Sequence, residues 1–345
     1  MNKKHILNLH FTFVCLLFLI GCKHKDSKVN RAFYFWKTSF ELNEKELKII
    51  KENNISTLYI KYFDVVWNKE LNSTVPVAKI LFKHTVPQQL QVVPVVYITN
   101  NVLLKCNADS INNLAISISK LIKNYDPVVK NNIAEIQIDC DWTVSTKAKY
   151  FKLLYTIKSQ FKKSVTISAT IRLHQIKYAS NTGIPPVQKG MLMYYNMGNL
   201  QSLTGNSIFN EIDAEKYAPY IKQYPLPLDV VLPVFKWVKV FRNKQMIKLL
   251  NQTSLFELKQ TGIFKSIDNH TIEALSTNHY KGFYYVANDI FVEEYMNPNT
   301  SLKAAQHLHQ YFNSTNFTLA LFHLHQPNLN EFTTQDIEAL YTTFN

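Results

Sequence analysis

Along the chain, short apolar runs of strand length alternate with longer segments in which apolar residues recur every three to four positions. The strand-like runs fall at 33–36, 57–63, 92–98, 134–139, 165–171, 191–195, 230–235 and 319–323. Helical periodicity occupies 43–53, 110–124, 146–162 and 214–223 between them. In the second of these helices Ile111, Leu114, Ile118 and Leu121 fall on one face. In the first, Leu47, Ile49 and Ile50 make an apolar stripe among lysines and glutamates. Alternation of this kind predicts parallel βα units. Eight of them predict an α/β fold of the closed (β/α)8 TIM type, in preference to an open doubly wound sheet.

One stretch departs from the pattern. Residues 282–286 and 290–295 flank Ala287-Asn288-Asp289 and read as a β-hairpin. It belongs to an insertion at about 264–298, between the seventh and eighth strands, expected to pack over the C-terminal face of the barrel. A helix at 301–312 follows. No internal repeat or linker divides 32–345, so that span is predicted to be one domain.

The N-terminus carries a different signal. Lys3, Lys4 and His5 precede an apolar run at 11–20 that is broken by Thr12 and Cys15. This is the length of a signal-peptide core and falls short of the roughly 20 residues of a membrane span. Leu19-Ile20-Gly21-Cys22 resembles the lipobox of bacterial lipoproteins. The resemblance implies a signal peptide at 1–21, a lipidated Cys22 and a short tether at 22–31. The protein would then be held on a bilayer of the cell envelope, the outer membrane being the expected one. No later segment is apolar enough to span.

The chain has 345 residues and a formal net charge of +13. Such a charge favours anionic partners in general. The lysines are scattered, however, and export argues against nucleic acid. Two cysteines besides the signal and lipobox ones, Cys106 and Cys140, do not make a disulfide framework, although an oxidising compartment would permit one bridge. With 7 glycines and no Gly-rich loop, a nucleotide cofactor is disfavoured. No cofactor motif is present, no Gly-x-Ser-x-Gly elbow occurs, and nothing demands more than a monomer.

The most informative segment is Glu135-Ile136-Gln137-Ile138-Asp139-Cys140-Asp141-Trp142-Thr143. Alternation puts Glu135, Gln137, Asp139 and Asp141 on one face and the apolar residues on the other. In a barrel the acidic face points inward, where unpaired carboxylates are costly. Such an arrangement marks a site, or an acidic interior satisfied by Arg172 or lysines. Aromatic side chains at or just beyond strand ends, namely Trp36, Tyr62, Trp67, Tyr97, Trp142, Tyr195 and Trp237, suit stacking on sugar faces. Arg172 and His174 follow the fifth strand, and His323-Leu324-His325 ends the eighth. The histidines and aspartates are permissive for zinc or manganese, but substrate contact is the preferred role and no metal is assigned.

Asp139-Cys140-Asp141-Trp142-Thr143 resembles the fourth-strand D-x-D-W-E signature of family 18 glycosidases, the chitinase-like barrels. Met193-Tyr194-Tyr195-Asn196 is similar to that family's sixth-strand M-x-Y-D. The resemblance implies that Asp139 and Asp141 are the carboxylates that orient and polarise a substrate N-acetyl group, and that Tyr195 helps to hold it. Two departures matter. The family's catalytic Glu corresponds to Thr143, and its sixth-strand Asp corresponds to Asn196; neither ionises usefully near neutral pH. The glycine-rich third-strand motif is also missing. Two outcomes stay open: Asp141 has become the acid beside Asp139, or the barrel binds glycan without cleaving it. A structural envelope role with a protein partner is a third reading. Expected substrate contacts are Trp36, Tyr62, Tyr97, Trp142, Arg172, His174, Tyr195, Asn196, Trp237 and His323.

Overall fold

A computed structural model describes residues 28–125, 133–251 and 253–345. The expected signal peptide, the Cys22 lipidation site and most of the tether lie outside the described residues. Eight parallel strands close into a ring: β1 (Lys28–Phe35), β2 (Thr57–Asn68), β3 (Gln91–Ile98), β4 (Glu135–Asp139), β5 (Thr166–Arg172), β6 (Lys189–Met193), β7 (Leu228–Pro233) and β8 (Asn316–Phe322). Each pairs with its neighbour in sequence, and β8 pairs back onto β1, so the barrel has no open edge. This is the expected TIM-type architecture, and the open doubly wound sheet is ruled out.

Helices cover the outside of the barrel. Among the described residues every connection contains one except that between β2 and β3, where Ser73–Val77 runs antiparallel to the end of β2 instead. The first helix, Glu44–Glu52, starts at Asn43 with a full capping box to Glu46. Ser110–Lys123 buries Ile111, Leu114, Ile118 and Ile122 in the core; three of the four expected stripe residues are there, while Leu121 is half-buried and Ile122 takes the inner place. The expected helix at 214–223 is instead a short turn, Glu211–Glu215, followed by a 3-10 segment, Ala218–Gln223, which starts with a proline. Pro219 has no N–H to continue the α-helical ladder from the preceding turn.

The barrel interior is polar through much of its depth. Lys189 reaches Glu135 at 2.8 Å and Asp229 at 2.6 Å. Ser168 donates to Glu135 at 2.6 Å, and Asp229 accepts the backbone N–H of Thr318 at 2.6 Å. Above this level the Tyr34 hydroxyl donates to Gln137 at 2.5 Å, and Tyr59 stacks on Tyr34. Burial raises the pKa of Glu135 while Lys189 opposes the rise, as expected of a carboxylate removed from water beside a cation.

Strand β2 carries a bulge. Lys61 is level with Val95 of β3 and Phe63 with Val96, so Tyr62 is the extra residue. Tyr62 is turned out of the barrel against Phe82 and Tyr125, which corrects its expected place at the mouth.

The insertion is larger than the expected hairpin. Five strands, in spatial order Gln245–Asn251, Lys236–Arg242, Ile290–Tyr295, Thr271–Ala274 and Phe264–Ser266, form an antiparallel sheet. The two halves of the expected hairpin do not pair with each other. Phe283–Tyr285 pairs with Asn278–Tyr280, while Ile290–Tyr295 lies between Lys236–Arg242 and Thr271–Ala274. Two apolar runs near a turn fit either arrangement; burying Val238, Val240, Ile272, Tyr285 and Phe291 in a separate small core selects the larger sheet. Lys239, fully buried, pairs with Glu294 at 2.5 Å. Glu294 also accepts from Ser207 at 2.5 Å and from the Trp237 indole at 2.8 Å. These contacts fasten the sheet to the loop that follows β6.

Candidate functional site

The C-terminal ends of the strands and the inserted sheet enclose a cavity of about 1220 Å³. Its floor contains Asp139, the last residue of β4. Asp139 is buried, and its Oδ1 accepts from Thr170 at 2.6 Å and from the Arg172 guanidinium at 2.9 Å. Burial works against the charge of Arg172, but the negative groups around it, Asp139 foremost and then Tyr195, Asp141 and Tyr97, together raise its pKa. A charge-assisted pair of this kind fixes both side chains. Gln175, buried beneath, accepts the Arg172 backbone N–H at 2.8 Å and donates to the Trp142 carbonyl at 3.0 Å. The ends of β4 and β5 are thus tied together under the site.

Asp141 lies at the rim. Its side chain is 55% exposed and stands 3.5 Å from His174. Tyr97, Tyr195, Asn196, Trp36, Trp237 and His323 also line the cavity. Asn196 takes a left-handed φ of 57° just after β6, a conformation asparagine tolerates better than most residues. Tyr195 packs against Phe235 and Phe322 at 5.5 and 5.6 Å between ring centroids, and burial raises its pKa. Trp237 comes from the inserted sheet, held by Glu294.

Two expected contacts are elsewhere. Tyr62 faces outward, as described above. Trp142 is fully buried, stacks on Tyr150 at 5.0 Å and donates its indole N–H to the Thr182 carbonyl at 3.0 Å. Alternation along the β4 segment puts Trp142 with Ile138 and Cys140 on the outer face, so its role is to pack helix on barrel. Cys106 and Cys140 are both buried and unbridged.

The cavity also holds residues that sequence reasoning missed. Phe322 joins Tyr34, Trp36, Tyr195 and Phe235 in one aromatic cluster. Lys61 pairs with Asp64 at 3.1 Å, and Lys37 with Glu46 at 2.9 Å. His325, already read in the sequence beside His323, lines the cavity as well and lies parallel to it at 5.4 Å between centroids. Among the described residues no three His, Cys, Asp or Glu side chains are placed to hold one metal ion. Thr143 is exposed and bonds to Ser145 and Thr146 at 2.9 and 3.3 Å.

No family model and no curated protein sequence matches the chain. Solved structures do match its fold. The spore cortex-lytic enzyme SleL of Bacillus cereus superposes with a TM-score of 0.54 at 12% identity, over 93% of this chain and 75% of that one. The GH18 chitinase ChiB from the chitin utilization locus of Flavobacterium johnsoniae gives 0.51 at 11% identity, over 92% and 94%. The fold is therefore the closed eight-stranded barrel of chitinase-like proteins.

Burial pushes the pKa of His323 down from 6.5 to about 3, with His325, Lys37 and Lys61 adding to the effect. The imidazole is therefore neutral in the folded protein near pH 7 and gains its proton more readily when unfolded. Its stabilisation is complete above the unfolded value near 6.5 and is lost as pH falls toward 3. Urea melts of the wild type should show stability declining below pH 6.5 by up to about 1.4 kcal/mol per pH unit from this residue. The decline should be shallower in His323→Asn; equal slopes would show that His323 is not held neutral.

Proposed function

We propose that this is a lipid-anchored envelope protein that takes up carbohydrate in the barrel mouth and hydrolyses glycosidic bonds there. One observation carries the reading: a buried carboxylate, Asp139, fixed by Arg172 at the floor of a large aromatic-lined cavity, with a second, Asp141, at its rim. Flat rings with polar edges, such as Trp36, Tyr97 and Tyr195, suit the alternating apolar and hydroxyl-bearing faces of sugars. Arg172, His174, Asn196, Trp237 and His323 supply donors and walls around the same space. The fold neighbours are a cortex-lytic enzyme and a chitinase, which supports glycan as the ligand class. The family 18 resemblance implies recognition of an N-acetyl group by Asp139, Asp141 and Tyr195. Polymers of N-acetylhexosamine are accordingly the first glycans to test.

Binding without cleavage is the second reading. Thr143 favours it, because a hydroxyl at that position cannot protonate a leaving oxygen near neutral pH. The two readings separate in one assay. Purified wild type should release shorter sugars from chitin oligosaccharides or solubilised peptidoglycan, and Asp139→Asn/Asp141→Asn should release none while melting as a folded protein. Binding without product from the wild type would establish the second reading.

Anchoring rests on the apolar run at 11–20 and the Leu19–Cys22 motif. Cells fed a labelled palmitate should incorporate it into the wild type and not into Cys22→Ala, with the label in the outer-membrane fraction. Equal labelling of the two would remove Cys22 as the anchor.

A further inference from the structure

Asp64 reaches the cavity only because of the bulge in β2. Strict alternation would put Lys61 and Asp64 on opposite faces, since they are three residues apart. The extra residue, Tyr62, resets the phase, and both Lys61 and Asp64 line the cavity. Bulges serve to re-aim side chains next to functional sites.

The strand registers place Asp64 level with Asp139, two strands away. Asp64 is level with Tyr97 of β3, and Tyr97 is level with Asp139 of β4. Two strand spacings separate the backbones by about 10 Å, both side chains line the one cavity, and the charge of Asp139 acts on Asp64. A carboxyl separation of about 6.5–9.5 Å leaves room for a sugar carbon and an attacking water. The two acids live in different environments. Both hydrogen bonds of Asp139 fall on Oδ1, from Thr170 and Arg172, and its Oδ2 takes none among the described residues. Asp64 is 19% exposed, and burial raises its pKa against the pull of Lys61, with the charge of Asp139 adding to the rise. A carboxyl that favours its proton, facing a carboxylate held by arginine, divides acid and base roles.

We propose that Asp64 is the proton donor of glycoside hydrolysis, supplying what Thr143 lacks, and that Asp139 is the base that activates water. This rests on the hydrolase reading above. The Asp64 proton passes to the glycosidic oxygen as the bond from C1 to that oxygen breaks. Water forms the new bond to C1 from the opposite face and gives its spare proton to Asp139 Oδ2. The carboxylate left on Asp64 is met by the Lys61 ammonium 3.1 Å away. In this assignment Asp139 takes the water in place of the N-acetyl contact that the resemblance implies, and that contact falls to Asp141, at the rim, and Tyr195.

The test uses purified protein with chitohexaose, solubilised peptidoglycan strands and a dinitrophenyl β-glycoside of N-acetylglucosamine, whose leaving group needs no proton. Asp64→Asn should lower kcat on the two natural polymers by about 10²–10⁴-fold, keep their Kd within about threefold, and retain most of the activity on the dinitrophenyl glycoside. Proton NMR of the first product should show inverted anomeric configuration. Full activity of Asp64→Asn on the polymers, or equal loss on all three substrates, would overturn the assignment of Asp64. A retained configuration would overturn the role given to Asp139. Polymer binding by the wild type without hydrolysis would overturn the proposal and leave glycan recognition standing, whereas absence of both would overturn the two together.

Discussion

The ion pair between Asp139 and Arg172 is the constraint around which the mouth of this barrel is arranged. A carboxylate with almost no exposure needs a counter-charge and hydrogen bonds, or its ionised form is too costly to keep. Thr170 and Arg172, one turn of the pleat apart on β5, provide both. Because the pair joins neighbouring strands at their C-terminal ends, the loops beyond them inherit its position. Gln175 extends the tie to the Trp142 carbonyl, which fixes the rim where Asp141 stands. The same logic repeats deeper in the barrel, where Lys189 balances Glu135 and Asp229.

The wall opposite is built from a second, independently packed unit. The inserted sheet has its own apolar core; Glu294, which receives Lys239 and Trp237 of the sheet, also takes Ser207 from the loop after β6, and Lys239 and Asn206 add bonds across the same junction. Removing one charge of such a pair leaves the other buried and uncompensated, so the position of Trp237 is secured by electrostatics as much as by packing. The outcome is a cavity with a rigid floor and a wall contributed from outside the barrel.

Much of the barrel is legible in the chain because each element carries a local signal. Strand runs alternate with helical stripes, and the helix at Ser110–Lys123 buries the face its period indicates. The inward row from Glu135 to Asp139 follows from period-two alternation alone, and the same rule puts Trp142 outside. Its expected place in the site came from residue type overriding that alternation. The same holds for Tyr62, next to the inward Lys61, whereas Asp64 was missed for a different reason. A one-residue bulge inverts the faces of everything beyond it, and nothing local in 57–68 marks where it falls. The inserted sheet was illegible because its pairings join segments up to 59 residues apart, such as Lys236 and Tyr295, selected by a shared core. Phe322 was overlooked beside His323, since an aromatic in an apolar strand carries no sign of which end it faces.

The central claim is that the cavity at the mouth of the barrel is a sugar site, and a glycan-array screen of the purified wild type beside Trp36→Ala/Phe322→Leu tests it most directly. Both substitutions remove rings from the cavity lining and no charged side chain. The account predicts that the wild type retains a defined glycan class and that the folded double variant loses it. Undiminished retention by the variant, or no glycan retained by the wild type, would contradict the account and shift attention to a protein partner.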